Sequence, residues 1–389
     1  MSISVIIPAY NYAHFLPRTL RSVLGQETGD VPVEVIVVDD GSTDNTPEAV
    51  RGFDGNIHYI RQGNQGLSGA RNTGMARAAG EALVFLDADD LLLPGALASQ
   101  WATLRQHPSA NISVCRNYMA TASDAEGPLT LAGCYGLHRG SFAVHMCHAN
   151  IAPVHAYMVR REVAQRAGPF DATLRACEDY DFWIRCLMAG GRMVGNAAGR
   201  VVYRKHGDSM SAQTENQVAH EALCSERVDH LLKTTPDFLP HRRLDARMAH
   251  ALGAVKRARA IAPWQGDRAV DMLGRCAESV LLALGQVAAP DMAAAGGPLH
   301  VGTAEPRTAA EAIVLQYYVV RVFQFLRHFA VMKHGQLTRA HRALSRMFPQ
   351  WDMPLVQGDH VVEALTAQMH EPLELESVCG EDGLLRCTI

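Results

Sequence analysis

Residues 82–90 read Ala82-Leu83-Val84-Phe85-Leu86-Asp87-Ala88-Asp89-Asp90, an unbroken apolar run that stops against three carboxylates. Such a run is too short for a core helix and suits a strand buried on both faces, as in a parallel sheet. Carboxylates crowded at a strand end repel one another unless a cation or sugar hydroxyls draw them together. Two upstream segments also run from apolar residues into polar ones: Ser4-Val5-Ile6-Ile7-Pro8-Ala9-Tyr10-Asn11 and Val35-Ile36-Val37-Val38-Asp39-Asp40-Gly41-Ser42. Open α/β sheets bind ligands beyond the carboxyl ends of their strands, so three such ends predict one shared site. The first half of the chain therefore reads as a metal-assisted, nucleotide-binding enzyme domain.

Working outward, short apolar strands alternate with helical patterns from Ser2 to about Leu104, the order that builds a parallel sheet covered by helices. Strands are predicted over residues 3–7, 34–38, 57–60 and 82–86. A helix over about residues 14–26 places Leu16, Leu20, Val23 and Leu24 at helical spacing. Pro47 and Glu48 mark another helix start after Asn45, and Pro94 opens a third through Leu97, Trp101 and Leu104. The next segment, about 112–212, mixes strands over 112–116 and 156–159 with a helix over 179–189. It is expected to complete the same domain and supply its acceptor side.

Beyond Glu215 the pattern changes to long Ala-, Leu- and Arg-rich helices, broken at residues 236–241 and by a loose Gly-, Pro- and Ala-rich stretch over 288–308. The expected class is thus α/β, a mostly parallel central sheet over residues 1–214 followed by an all-helical module over 215–389. No repeat with a fixed period is present.

Composition narrows the function classes. The chain has 389 residues, 48% hydrophobic and 20% charged, ordinary for a soluble globular protein of two domains. A net charge of −4 gives no general reason to expect nucleic-acid binding. Nine cysteines without a C-x-x-C pair neither frame a disulfide scaffold nor match zinc spacing, which points to a reducing cytoplasm. The N-terminus lacks a basic, cleavable leader pattern, so no secretory signal is expected. No run of about 20 residues is apolar enough to span a bilayer; the nearest, over 312–331, contains Gln316, Arg321, Gln324, Arg327 and His328.

That same region carries an amphipathic stripe, Leu315, Tyr318, Val322, Phe325, Phe329 and Met332. From Ala312 to Trp351 stand Arg321, Arg327, Lys333, Arg339, Arg342 and Arg346, with no Asp or Glu. A basic amphipathic helix of this kind rests on an anionic membrane surface; a helix packed on its neighbours with a solvated basic face is the commoner outcome.

The ordered set Val5-Ile6-Ile7-Pro8-Ala9-Tyr10-Asn11, Val38-Asp39-Asp40-Gly41-Ser42, Gly69-Ala70-Arg71-Asn72, Asp87-Ala88-Asp89-Asp90 and Glu178-Asp179-Tyr180-Asp181-Phe182-Trp183 resembles glycosyltransferase family 2. Each piece alone is weak, and their order and spacing are specific. The resemblance covers about residues 1–214 and implies a Rossmann-like GT-A fold and non-processive, inverting transfer of a sugar from a nucleotide-sugar, a UDP-sugar by analogy, to a hydroxyl acceptor. It implies a divalent metal, Mn2+ or Mg2+, held by Asp89, with His206 of the Tyr203-to-Ser211 segment as a further candidate; Arg204 and Lys205 there are alternative phosphate partners. Pro8, Ala9, Tyr10, Asn11, Asp40, Arg71, Asp87 and Ala88 are the implied nucleotide-sugar contacts, and Asp90 is support.

Each motif also has a purely structural reading. A single Asp before Pro94 would cap a helix, yet three exceed that need. Asp40-Gly41-Ser42 would make a good turn by itself. The glycine-rich loop over 63–72 offers backbone N–H groups and an Arg to phosphate but lacks the Gly-Lys-Ser/Thr of a Walker A loop. Acidic residues at 178 and 179 complement a helix dipole; the resemblance instead makes Asp179 the general base, with Glu178 binding acceptor or orienting its partner.

The implied setting is cell-surface polysaccharide or glycoconjugate synthesis, in the cytoplasm and peripherally at the inner face of the membrane. The implied partners are a nucleotide-sugar donor and a glycan or lipid-linked acceptor, with membrane contact or oligomerisation through the C-terminal helices and no nucleic acid. Two rival readings are a non-catalytic scaffold of the same fold and a nucleotidyltransferase. The first would be expected to lose the acidic cluster or the base, and the second needs a Lys/Arg-rich glycine loop that residues 4–12 do not offer.

Overall fold

Strand β1 (Ile3–Ala9) is buried along its whole length, as an apolar run flanked by parallel neighbours must be. Its neighbours are β2 (Val33–Asp39) and β4 (Ala82–Phe85), both parallel to it, and β3 (His58–Arg61) extends the parallel block beyond β2. These segments belong to a computed structural model in which residues 2–120, 130–131, 142–207, 214–235, 246–247, 249–250, 253–254 and 257 are described.

Among the described residues one nine-stranded sheet runs in the order β3-β2-β1-β4-β8-β6-β9-β5, with β7 (Thr130–Leu131) on β6. Past β4 the sheet turns mixed: β8 (Tyr157–Arg160) is antiparallel to β4 and β6 (Ile112–Ala120), and β9 (Met193–Arg204) is parallel to β6. The two-residue β5 (Leu91–Leu92) closes the edge against β9. The β6–β9 register slips between Cys115 and Arg116, where Asn196 Oδ1 accepts from the Ala198 and Gly199 amides. The sequence Met-Val-Gly-Asn-Ala-Ala-Gly hides this strand, because small and polar residues at the bulge break its alternation.

The helices form where periodicity places them. Helix α1 (Leu16–Leu24) has Pro17 in its first turn and buries Leu16, Thr19, Leu20 and Val23. Helix α2 (Thr46–Arg51) is preceded by Asp44, whose Oδ1 accepts from the Thr46 amide and hydroxyl. Helix α3 (Gly66–Arg77) lies so close to β1 that a Cβ on Gly74 would stand 2.3 Å from Ile6 Cγ2. Helix α4 (Ala96–Gln106) buries Leu97, Trp101 and Leu104.

Helices α5 (Phe142–His148) and α6 (Arg161–Ala167) precede α7 (Glu178–Met188), whose Phe182 stacks on Phe170 at 4.1 Å while Phe170 meets Phe85 of β4 edge-on at 4.9 Å. This aromatic stack fixes the start of α7 over the end of β4. Glu178 and Asp179 therefore open the helix beside Asp87.

The chain forms two compact units, Met1–Ala143 with Asn150–His220, and Val144–Ala149 with Glu221–Ile389. Helix α8 (Thr214–Thr234) belongs to the second unit from Glu221 onward, and there Ala222, Cys224, Val228, Leu231 and Leu232 are buried as a helical stripe. The interruptions at 236–241 and 288–308 and the basic stripe over 312–351 lie outside the described residues. No helix among the described residues is long and apolar enough to cross a membrane.

Candidate active site

Arg71 organises the site. It is 1% exposed, and burying a guanidinium requires partners. One arm donates to Glu178 Oε1 and another to Asp87 Oδ1, each at 2.6 Å, while its carbon lies 5.4 Å from the Phe170 ring centre. Burial would lower its pKa, but the charges of Asp87 and Glu178 override this and raise it. Residues far apart in sequence are thereby joined: the acidic cluster after β4 and the acidic pair opening α7 share one cation.

Asp40 anchors the same helix. Its Oδ1 accepts from Gln62 Nε2 at 2.7 Å and the Gln65 amide at 2.9 Å, and Oδ2 accepts from the Gly66 amide at 2.7 Å. A carboxylate at the start of α3 satisfies helix amides that have no intrahelical acceptor and complements the helix dipole. Asp40 and the Asp87–Asp89 and Glu178–Asp179 groups are thus linked through the first turns of α3.

The three carboxylates after β4 divide their work. Asp90 is 1% exposed, accepts from the Arg204 amide at 2.8 Å and lies 3.1 Å from His155 Nδ1, a close ion pair off the angle of an aligned hydrogen bond. Burial alone would lower the His155 pKa; the Asp90 charge and contact, together with the charges of Asp87 and Asp89, outweigh it and raise it. Asp87 and Asp89 keep 27% and 14% of their side chains open. Asp89 Oδ2 lies 2.9 Å from His206 Nε2. Burial, and then the charges of Asp90 and Asp87, push the Asp89 carboxyl up to about 7, against a downward pull from His206.

His206 is held by ring contacts with Phe15 at 4.6 Å and Tyr12 at 6.0 Å. Arg204 turns inward: Nε donates to the Asp89 carbonyl, a second nitrogen donates to Thr19 Oγ1 at 3.0 Å, and the guanidinium lies over Phe15. It braces the loop and is not presented as a phosphate ligand, whereas Lys205 is exposed. Thr19 also donates to the Ala88 carbonyl at 2.7 Å, and Ala88 itself is 2% exposed.

At the end of β1, Pro8 and Ala9 are buried in the sheet and Tyr10 is 44% exposed, open for stacking on a planar ring. Asn11 has φ 58°, and its Oδ1 accepts from the Thr43 amide and hydroxyl and the Asp44 amide, tying this loop to the one after β2.

Asp179 accepts from the Tyr180 amide on Oδ1 at 2.7 Å and from Asn150 Nδ2 on Oδ2 at 2.9 Å. Its pKa is pushed up to about 7, first by burial and then by the Glu178 charge, with Arg71, the Tyr180 amide and Asn150 pulling it down. A carboxyl of that acidity accepts a proton near neutral pH. Asn150, His155, Tyr157 and Thr19 carry no motif and were not singled out in the sequence; only their contacts reveal them.

Among the described residues no group of three or more His, Cys, Asp or Glu side chains is spaced as a ready metal cage. The residues present nonetheless fit a hard divalent cation that completes its shell from substrate and water. Two partly open carboxylates, Asp87 and Asp89, would supply oxygen donors, and the raised Asp89 pKa reflects burial first and then the negative charge of Asp90 and Asp87, which a cation would relieve.

The family profile described as glycosyl transferase family 2 matches residues 4–165. A PGL/p-HBAD biosynthesis glycosyltransferase of Mycobacterium bovis is 34% identical over 189 residues, 47% of this chain and 69% of that protein. Other curated relatives are spanned over 30%, 62% and 47% of their own lengths, the last being a minor teichoic acid biosynthesis protein of Bacillus subtilis. The S. aureus TarS 1–349 structure in complex with UDP-GlcNAc shares the fold with TM-score 0.57 at 16% identity, over 90% of this chain and 93% of that one. The mannosyltransferase PcManGT from Pyrobaculum calidifontis, in complex with GDP-Man and Mn2+, gives 0.50 at 20% identity, over 90% and 87%.

Proposed function

The chain belongs to glycosyltransferase family 2, and on that premise we propose that it moves a sugar from a nucleotide-sugar, a UDP-sugar, to a hydroxyl acceptor with inversion. The observation that carries this reading is the Arg71 bridge, which gathers a donor-side carboxylate and an acceptor-side pair around one buried cation. In the proposed reaction the acceptor oxygen bonds to the anomeric carbon as the bond from that carbon to the phosphate oxygen breaks. The acceptor proton passes to Asp179, and the nucleoside diphosphate departs.

Tyr10 and Asp40, with Pro8, Ala9 and Asn11 shaping the loop, are proposed for the nucleoside side, and Asp87 and Ala88 for the ribose and diphosphate side. Glu178 and Arg71 orient Asp179 and the acidic cluster. A divalent cation at Asp89 and Asp87, with His206 beside it, would neutralise diphosphate charge. Solved neighbours hold UDP-GlcNAc in one case and GDP-Man with Mn2+ in another, which supports a nucleotide-sugar donor and keeps both bases in the test.

The relatives named for teichoic acid and PGL/p-HBAD synthesis support a cell-surface polysaccharide or glycoconjugate product. Work in the cytoplasm at the inner face of a membrane, on a glycan or lipid-linked acceptor, completes the proposal. The deciding experiment measures nucleoside diphosphate release and sugar transfer from a panel of UDP- and GDP-sugars, with and without Mn2+ or Mg2+. Wild type should turn over one donor class, while Asp89→Ala and Asp179→Asn should each abolish transfer. Full activity in Asp179→Asn would remove the proposed base.

A further inference from the structure

We propose that Asn150 is a positioning residue that holds the Asp179 carboxylate in its working orientation, and that the Tyr157 hydroxyl sets which end of the Asn150 amide faces it. The inference rests on reading Asp179 as the general base. Asn150 Nδ2 donates to Asp179 Oδ2 at 2.9 Å, and the Tyr157 hydroxyl donates to Asn150 Oδ1 at 3.2 Å. An ionised carboxylate only accepts, so the NH2 end of the amide must face Asp179 and its oxygen must face Tyr157. Tyr157 is rigidly placed: it is fully buried in β8, and its ring stacks on Trp183 of α7 at 4.3 Å. Burial first, and the Asp179 charge second, raise its phenol well above the ordinary value, so it keeps its proton to donate.

The hydrogen bonds leave Asp179 with acceptor capacity to spare. Oδ1 takes the Tyr180 amide and Oδ2 takes Asn150, one donor on each oxygen that has two lone pairs. Pinning both oxygens stops the side chain from rotating, and the remaining lone pairs stay free for an acceptor hydroxyl. The charged groups facing Asp179 are Glu178 on its own helix and Arg71 on α3, with the ionisable Tyr157 on β8. The Asn150 side chain that donates to Asp179 is uncharged, so its removal changes the base without removing a counter-charge.

The test compares wild type, Asn150→Ala, Tyr157→Phe and Asp179→Asn. Two readouts are taken: the pH profile of kcat/KM, and the titration of the Asp179 carboxyl by 13C NMR, identified by its disappearance in Asp179→Asn. Loss of a hydrogen bond to the charged form should move both the acidic limb and the carboxyl titration of Asn150→Ala upward by about one pH unit. Tyr157→Phe keeps the stacked ring and frees the amide to flip, so it should shift both the same way by less, with a cooperative thermal transition retained. Carboxyl titrations that match wild type in folded Asn150→Ala or Tyr157→Phe overturn the inference. If those titrations shift but Asp179→Asn still transfers sugar, the positioning role stands and the general-base reading fails instead.

Discussion

Replacing Arg71 with Met removes the charge that Asp87 and Glu178 share while keeping much of the volume. Glu178 is 7% exposed and would stay buried with no counter-ion, whereas Asp87 at 27% exposure is partly screened by solvent and adds less. Removing one member of a buried pair costs about 3–5 kcal/mol; for a unit of this size that is a fall in Tm of about 10 °C. The decisive assay is thermal unfolding at pH 7 of wild type, Arg71→Met, Glu178→Gln and the double variant. Because the double variant no longer buries an orphaned carboxylate, it should be more stable than Arg71→Met alone. Arg71 also lowers the Asp179 pKa, so any activity left in Arg71→Met should have its acidic limb displaced above about 7. A wild-type Tm for Arg71→Met, or simple additivity in the double variant, would refute the claim that this guanidinium binds the two acidic segments together.

Two further outcomes follow from the same geometry. Because the folded Asp89 carboxyl binds its proton up to about 7, above its ordinary value, it works against the folded state as pH rises through that interval, and a cation favours its charged form. Calorimetry in buffers of different ionisation enthalpy should therefore show proton release when Mn2+ binds at pH 6, little at pH 8, and none from this site in Asp89→Asn. Gly74→Ala should lower stability by about 1–3 kcal/mol in a denaturant titration, since its new methyl would stand 2.3 Å from Ile6 Cγ2; a neutral effect would mean that α3 and β1 separate more easily than their packing implies.

Much of the α/β framework was legible because it is written in short-range patterns. The apolar runs at β1, β2 and β4 and the three- and four-residue steps of α1 and α4 fall where periodicity puts them. Strand β9 was not legible, because its bulge around Asn196 mixes small and polar residues, and its place beside β6 is a pairing across about eighty residues. Glu178 and Asp179 were visible as an acidic helix start, but Asn150 beside them was not, since it stands in a segment whose path no local signal predicts.

By itself the sequence determined that buried strands end in carboxylates and that helices follow them, because burial and helical phase depend on neighbours a few residues away. Only the tertiary structure decided how the carboxylates differ. Asp90 turns inward to Arg204 and His155, Asp87 and Asp89 keep open edges, and Asp179 gains Asn150. Those distinctions arise from contacts spanning 29 to 114 residues. A side chain's acidity depends on the burial and charge that such contacts bring, and no periodicity in the chain encodes them.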